Sequence, residues 1–521
     1  MKKIKNSLGI ELPEFIEGYG KVEPFKGAWE KLSQGILEEQ TVPPPNKAVQ
    51  PHRDKKLASL KEAVAQSNPK NGMTVSFHHH LRGGDGVLVP VIEILAEMGI
   101  KDITLASSSL TGAHEAIVPY IEDGTITKIW SSGIRGNVGK TISKGILKKV
   151  AVIHSHGGRV RAVQTGKINI DLAVIAASAA DCEGNATGSF GPSAFGSMGY
   201  AASDERYAKH VIVVTDNLVD YPCFPFFFQQ RFVDAVVKVE SIGDAKKIAS
   251  GTTRITRTPM DLKIASLAAQ VIECSGYLEP GFSFQVGAGG ASLAVAKFIR
   301  EIMKKKEIQG DFILGGITSY CVEMLNEGLF KTLFDVQSFD AAVSSSILND
   351  PKHIEIPADA YANPFNKGCM TNKLDVVVLG ALEIDTDFNV NVITGSLGEV
   401  RGASGGHSDT ASGAKLTIAV CPSFRGRLPI IKHKVNNIVT PGESINVVVT
   451  ERGICVNPLY KDLEKRLNDA GLKTIDIKDL AKEVESIVST QRPVEYTDKI
   501  VGVIEYRDGT VIDVIRQVKN L

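Results

Sequence analysis

The densest set of groups able to stabilise a developing negative charge is GSLGEVRGASGGHSD, Gly395 to Asp409, with five glycines, one arginine and one histidine in fifteen residues. Such a loop can turn several backbone N–H groups toward a tetrahedral oxyanion, where loss of one donor costs roughly 3 to 4 kcal/mol. Arg401 in the same loop offers a planar fork that pairs bidentately with a carboxylate. A second glycine loop lies in FSFQVGAGGAS, Phe282 to Ser292, where Gly287, Gly289 and Gly290 follow an alternating apolar run. Backbone amides at such a turn can approach an anion because no Cβ stands in the way. Glu323, in GGITSYCVEMLNEGLFKTL, falls just past an apolar strand, where a carboxylate can act as a base or attack an acyl carbon; a solvated or capping carboxylate is the plainer alternative.

The third cluster is SFHHHLRGGD, Ser76 to Asp85. Neighbouring strand residues point to opposite faces, so of His78, His79 and His80 only the first and last can share a ligand sphere. IHSHGGR, Ile153 to Arg159, offers the same spacing at His154 and His156. Imidazoles that hydrogen-bond or touch an anion are favoured over a metal centre. GIRGNVGKT, Gly133 to Thr141, looks like a phosphate loop but encloses five residues between Gly133 and Gly139, where the nucleotide-binding motif needs four. It is rejected as an NTPase motif, with Arg135 and Lys140 left as anion contacts. The hydroxyls of LASSSL, Leu105 to Leu110, read as a polar lining at a strand end, since no G-x-S-x-G surrounds them.

The elements that must position these groups repeat. Phe282, Phe284 and Val286 alternate as a strand, the glycine turn follows, and Leu293, Val295, Ala296, Ile299 and Met303 then carry helical spacing. Thr74 to Ile100 runs through strand, glycine turn and helix in the same way, with Phe77 lying 207 positions before Phe284. Asp171 and Asp375 are 204 apart, and Gly188 and Gly395 are 207 apart, an offset that points to two copies of one domain. VIVVTD at Val211 pairs by pattern with NVVVTE at Asn446, where Thr215 and Thr450 are 235 apart, so an insertion is expected near Pro422 to Pro441. The expected layout is an N-terminal extension over 1–52, a first domain over 53–240, a weakly patterned linker over 241–261 and a second domain over 262–521.

Composition narrows the function class. Lysine plus arginine equals aspartate plus glutamate at 59 each, so no global field attracts nucleic acid or an anionic membrane, and an anionic substrate must be met by local groups. No apolar run reaches membrane-spanning length, and the first twenty residues lack a signal-peptide core, which reads as a cytoplasmic chain. Seven cysteines without any C-x-x-C spacing fit reduced thiols.

The paired glycine-loop domains, the EMLNEG turn and the GASGGHSD loop after ALEID resemble the CoA-transferase superfamily, whose acyl-CoA enzymes show E-M-x-x-D-G and G-x-G-G-Q-x-D in the corresponding places. The segments His78 to Asp85, Ser155 to Arg159, Asp181 to Gly188 and Val501 to Val518 are similar more specifically to the citrate CoA-transferase family, the alpha chains of citrate lyases, and the similarity runs the length of the chain. It implies an α/β fold of two tandem homologous three-layer domains. It also implies an exchange in which the acetyl thioester of an acyl carrier protein gives a citryl thioester and acetate. The implied partners are a lyase (beta) chain, the acyl carrier (gamma) chain and further copies of this chain, with neither nucleic acid nor a membrane span. The chain would hold no metal and no covalent cofactor, meeting CoA or the carrier's CoA-like prosthetic group as a substrate arm.

Carried onto this sequence, Glu323 with Gly405 and Gly406 would form the catalytic group. Arg401, His407, His78, Arg82 and Arg159 would hold citrate, and Gly287, Gly289, Gly290 and Gly402 would meet the thioester arm. His407 replaces the family's usual glutamine, and citrate-type transferases react in a ternary complex, which sets them apart from relatives that use the matching glutamate as a nucleophile. A thioester hydrolase, a CoA-transferase for another carboxylic acid and a non-catalytic assembly subunit are the competing readings, separated by whether acetate release requires citrate and whether site substitutions change a rate.

Overall fold

Two largely parallel sheets with the same strand order carry the chain. The computed structural model describes residues 2–35, 38–44, 48–78, 80–248, 256–287, 289–488 and 493–521. The first sheet is built from β1 (Lys56–Leu57), β2 (Thr74–Phe77), β3 (Ile103–Ser107), β4 (Ile126–Ser131), β5 (Ala151–Ile153), β6 (Leu172–Ala177), β7 (Val211–Thr215) and β8 (Ala235–Lys238). The second uses β9 (Ser283–Val286), β10 (Gly310–Ile317), β11 (Phe330–Ser338), β12 (His353–Glu355), β13 (Val376–Gly380), β14 (Leu416–Val420), β15 (Val447–Thr450) and β16 (Gly453–Val456). The C-terminal hairpin is β17 (Tyr496–Glu505) and β18 (Val511–Val518).

The orders are β18-β17-β5-β4-β3-β2-β6-β7-β8-β1 and β12-β11-β10-β9-β13-β14-β15-β16, so β2 through β8 and β9 through β15 follow one topology. The central strands are continuous apolar runs, as β7 (VIVVT) and β14 (LTIAV) show, because helices cover both faces of a parallel sheet.

Strand order corrects two of the sequence alignments. Val211–Thr215 occupies the place of Leu416–Val420, 205 positions on, while Val447–Thr450 is the counterpart of Ala235–Lys238. The pairing of VIVVTD with NVVVTE therefore crossed two different strands of similar composition. In the central strands, Val75 lies beside Leu172 and Phe284 beside Val376, and the preceding aspartates, Asp171 and Asp375, each accept a backbone N–H at 2.8 Å, from Thr74 and Ser283. Phe284 thus matches Val75, and Phe77 matches Val286. A two-residue slip keeps every side chain on its face, so the pattern alone could not detect it.

The ends of the chain also depart from the expected layout. β17 pairs in parallel with β5, so the last strands of the expected 262–521 domain complete the first sheet. The N-terminal extension packs onto that hairpin: Asn6 Nδ2 donates to the Ile512 carbonyl at 2.8 Å, Val511 N–H donates to the Glu23 carbonyl at 2.7 Å, and the Phe25 ring meets Tyr506 edge-on. Residues 249–255 of the expected linker lie outside the described residues. The helix after them spans Pro259–Cys274, starting within that linker, with the Thr258 hydroxyl accepting the Asp261 N–H and Pro259 in the first turn. Among the described residues no helix is long and apolar enough to cross a membrane.

Candidate active site

A cavity of about 380 Å³ lies between the two halves, at the C-terminal ends of strands from both sheets, where open α/β sheets bind ligands. Arg82, Arg135, His156 and Tyr200 reach it from the first half. From the second half come Gln285, Tyr361, the glycines after β9, the 401–407 loop and, on the hairpin past β14, Arg425. Four arginines line it and, among the described residues, no aspartate or glutamate does. In a chain of zero net charge, that local excess of guanidinium favours an anion.

The glycine loop is sewn to the first half. Ser404 N–H donates to the Ser132 carbonyl at 2.7 Å, Ile134 N–H to the Gly402 carbonyl at 2.9 Å, and His156 N–H to the Gly405 carbonyl at 2.9 Å. His156 opens α1 (His156–Gln164), which is capped by Ser155. The start of that helix is clasped by buried Asp409, which accepts from Ser155 Oγ at 2.8 Å and from Gly157 N–H at 3.0 Å. A Cβ on Gly157 would fall 1.9 Å from the Ala362 carbonyl, and one on Gly139 would fall 2.1 Å from that of Val400. The glycines of GIRGNVGKT and SHGGR therefore let backbones of the two halves touch, which explains a phosphate-loop likeness with the wrong spacing.

The structure brings most of the expected residues together. Arg82, Arg401, Gly402, Gly405, Gly406, His407, Gly287, Gly289 and Gly290 all line the cavity. Gly289 sits at φ 144°, a backbone conformation that favours glycine. The Gly405 N–H makes a long 3.4 Å bond to the Ser132 carbonyl, whereas the Gly406 N–H has no partner among the described residues. Arg82 stacks over the Phe339 ring at 5.0 Å; burial, with Arg135 nearby, lowers its pKa to about 10, so it stays cationic at neutral pH. Arg401 stands at the mouth with 60% of its side chain exposed, 3.2 Å from Glu399.

His407 lines the wall, but both its nitrogens are engaged: Nδ1 with Thr440 Oγ1 at 2.7 Å and Nε2 with the Gly380 carbonyl at 3.1 Å. A carbonyl only accepts, so Nε2 carries the proton. Burial lowers its pKa to about 4.

Three expected residues are not brought to the cavity. Glu323 lies in α2 (Ser319–Asn326), whose buried residues are Cys321, Met324 and Leu325, so it projects from the opposite face. Its side chain is 55% exposed and lies 3.4 Å from Arg300. Arg159 and His78 are turned inward onto buried Asp204: Arg159 binds both carboxylate oxygens, at 2.7 and 2.8 Å, and His78 Nε2 donates to one at 2.8 Å, joined there by Ser76 Oγ. The histidine clusters also separate. His80 stacks on Phe195, His154 is buried against Trp130, and only His156 meets the cavity, while His79 lies outside the described residues. No group of side chains suited to a metal is found among the described residues.

Sequence reasoning passed over Tyr200, Gln285, Tyr361 and Arg425, and weighed His156 together with His154 as an anion-contacting imidazole or half of a metal pair, without setting it apart from its neighbour. Tyr361 and Arg425 carry no local signal. His156 and Gln285 did have one, each standing where a strand meets a glycine turn.

A sequence profile of the citrate lyase alpha subunit matches residues 53–518. The citrate lyase alpha chain of Klebsiella pneumoniae is 49% identical over 90% of this chain and 92% of its own length. That of Escherichia coli K12 is 47% identical over 95% of this chain and 97% of its own. Among solved structures, the citrate lyase alpha subunit of Streptococcus mutans, in complex with citrate, superposes with a TM-score of 0.93 at 46% identity, covering 99% of this chain and 100% of that one. One chain of a Pseudomonas malonate decarboxylase hetero-tetramer in complex with malonate shares the fold at a TM-score of 0.62 and 15% identity, over 85% of this chain and 95% of that one. The chain belongs to the citrate lyase alpha-subunit family.

Proposed function

We propose that this cavity is the site of a citrate CoA-transferase, exchanging the acetyl group of an acyl-carrier or CoA thioester for citrate and releasing acetate. The observation that carries this reading is the cavity between the halves, lined by four arginines and no described carboxylate, with the Gly402–Gly406 loop along one wall.

The chemistry needs no nucleophile from the protein. A citrate carboxylate attacks the acetyl thioester carbon; a C–O bond forms, and the tetrahedral intermediate expels the thiolate to leave a mixed anhydride. The thiolate then attacks the citryl carbonyl, a new C–S bond forms, and acetate leaves with the anhydride's bridging oxygen. One carboxylate enters and one departs, so no proton is gained or lost. What the site must supply is orientation, exclusion of water and donors for two successive oxyanions.

Arg82 and Arg135, which line the cavity, would hold citrate carboxylates inside. Arg401 and Arg425 at the mouth, with Gly287, Gly289 and Gly290, would meet the arm that carries the thioester. The Gly406 N–H serves as an oxyanion donor. Glu323 has no part in this scheme. The carrier chain would bring the arm, a lyase chain would take the citryl thioester onward, and the chain would work as one of several copies in that assembly.

Incubation with acetyl-CoA and labelled citrate, read by mass spectrometry, tests the reading. Citryl-CoA and acetate should appear together and only when citrate is present. Acetate released without citrate would make the protein a thioester hydrolase, and no turnover even with the carrier protein would reduce it to an assembly subunit.

A further inference from the structure

We propose that His156 is a catalytic residue of this site, donating a hydrogen bond from a neutral imidazole to the oxyanion formed at the thioester carbonyl, beside the Gly406 N–H. This rests on the acyl-transfer reading of the cavity and adds a group that the glycine loop alone does not supply.

The geometry singles the residue out. A Cβ placed on Gly405 would lie 3.5 Å from His156 Nε2, so the ring stands next to the loop that offers the backbone donor. The ring packs against Tyr200 at a tilt of 37° with centroids 4.2 Å apart, and its backbone N–H is tied to the Gly405 carbonyl. The backbone bond and the ring contact hold the imidazole beside the loop. The other histidine on the cavity wall, His407, has both nitrogens occupied by Thr440 and Gly380, whereas the ring nitrogens of His156 make no hydrogen bond among the described residues.

The charge state suits a donor and not a base. No described carboxylate lines the cavity to take the second ring nitrogen and raise its basicity. Burial first, then the neighbouring His154 and the guanidinium groups of Arg82 and Arg159, lowers the pKa to about 3, so the ring is neutral at physiological pH. A neutral imidazole N–H does not compete with the arginines for citrate carboxylates. It gains strength only as charge develops on the carbonyl oxygen, which is the differential binding that raises kcat. When that intermediate collapses, the oxygen's electron pair returns to carbon, the thiolate leaves, and the imidazole has transferred no proton.

The test is steady-state kinetics with acetyl-CoA and citrate on wild type, His156→Ala and His156→Gln, with citrate binding measured by calorimetry on each. Removal of the donor should lower kcat about a hundredfold or more, with both KM values within about threefold and citrate affinity unchanged. Glutamine, whose amide can donate in its place, should recover part of kcat even if the alanine variant folds poorly. An alanine variant with kcat near wild type, or a loss confined to the KM for citrate, would overturn the proposal. So would a wild-type acid limb near pH 6.5 that vanishes in His156→Gln, since that marks a titrating base. Citrate-dependent turnover by wild type supports the acyl-transfer reading whatever the variants do, so the two claims fail separately.

Discussion

Asp409 of the second half accepts a hydrogen bond from the Ser155 hydroxyl of the first at 2.8 Å, inside the protein and next to the arginine-lined cavity. The same carboxylate takes the Gly157 N–H at 3.0 Å, and the guanidinium of fully buried Arg507, from the loop between β17 and β18, lies 3.7 Å away. Three distant parts of the chain thus fix the start of α1, and with it His156. Ser155→Ala removes both this bond and the helix cap to Gly158, and should cost about 1 to 3 kcal/mol of stability. Chemical denaturation measures that cost, and kcat should fall more than the KM values as His156 loses its position.

Glu323→Ala should leave the transfer rate within about twofold of wild type and shift stability by less than about 1 kcal/mol, because an exposed ion pair with Arg300 contributes little. A loss of two or more orders of magnitude in kcat would return this carboxylate to the chemistry.

Arg82→Ala should raise the KM for citrate by about thirtyfold, the equivalent of a charge-assisted hydrogen bond worth about 2 kcal/mol, with a smaller effect on the KM for acetyl-CoA. Arg82→Lys should recover only part of it, since an ammonium lacks the planar fork.

His407 is held neutral in the fold, with its pKa lowered from 6.5 to about 4 by burial. The unfolded chain therefore binds this proton first on acidification. The stability it contributes is complete above about pH 6.5 and is lost as pH falls from there toward 4, at up to about 1.4 kcal/mol per pH unit. Thermal unfolding of wild type and His407→Gln at pH 7 and pH 5 measures this: wild type should lose more stability across the interval than the variant. Equal losses would show that the ring is already charged in the fold.

The duplication and the two glycine loops were legible because backbone demands leave local marks: glycine where φ is positive at Gly289, or where backbone meets backbone at Gly157 and Gly139. Side-chain destinations were less legible. Arg159 and Arg82 look alike in sequence, yet Arg159 is captured by Asp204, 45 positions away, and Arg82 is left facing the cavity. The outward direction of Glu323 was readable from the helical spacing of Cys321, Met324 and Leu325, but its place in a resembling motif outweighed that spacing. Nothing local shows that Tyr496–Glu505 returns to the first sheet, because that depends on pairing with Ala151–Ile153 more than three hundred residues earlier.

The central claim, direct transfer without a covalent enzyme intermediate, is tested most directly by a single turnover with enzyme in excess over acetyl-CoA and citrate labelled with oxygen-18 in its carboxylates. Attack by citrate itself places one labelled oxygen in the acetate released in that first turnover. Unlabelled acetate formed together with citryl-CoA would mean that the oxygen came from a carboxylate of the protein, and would contradict the account.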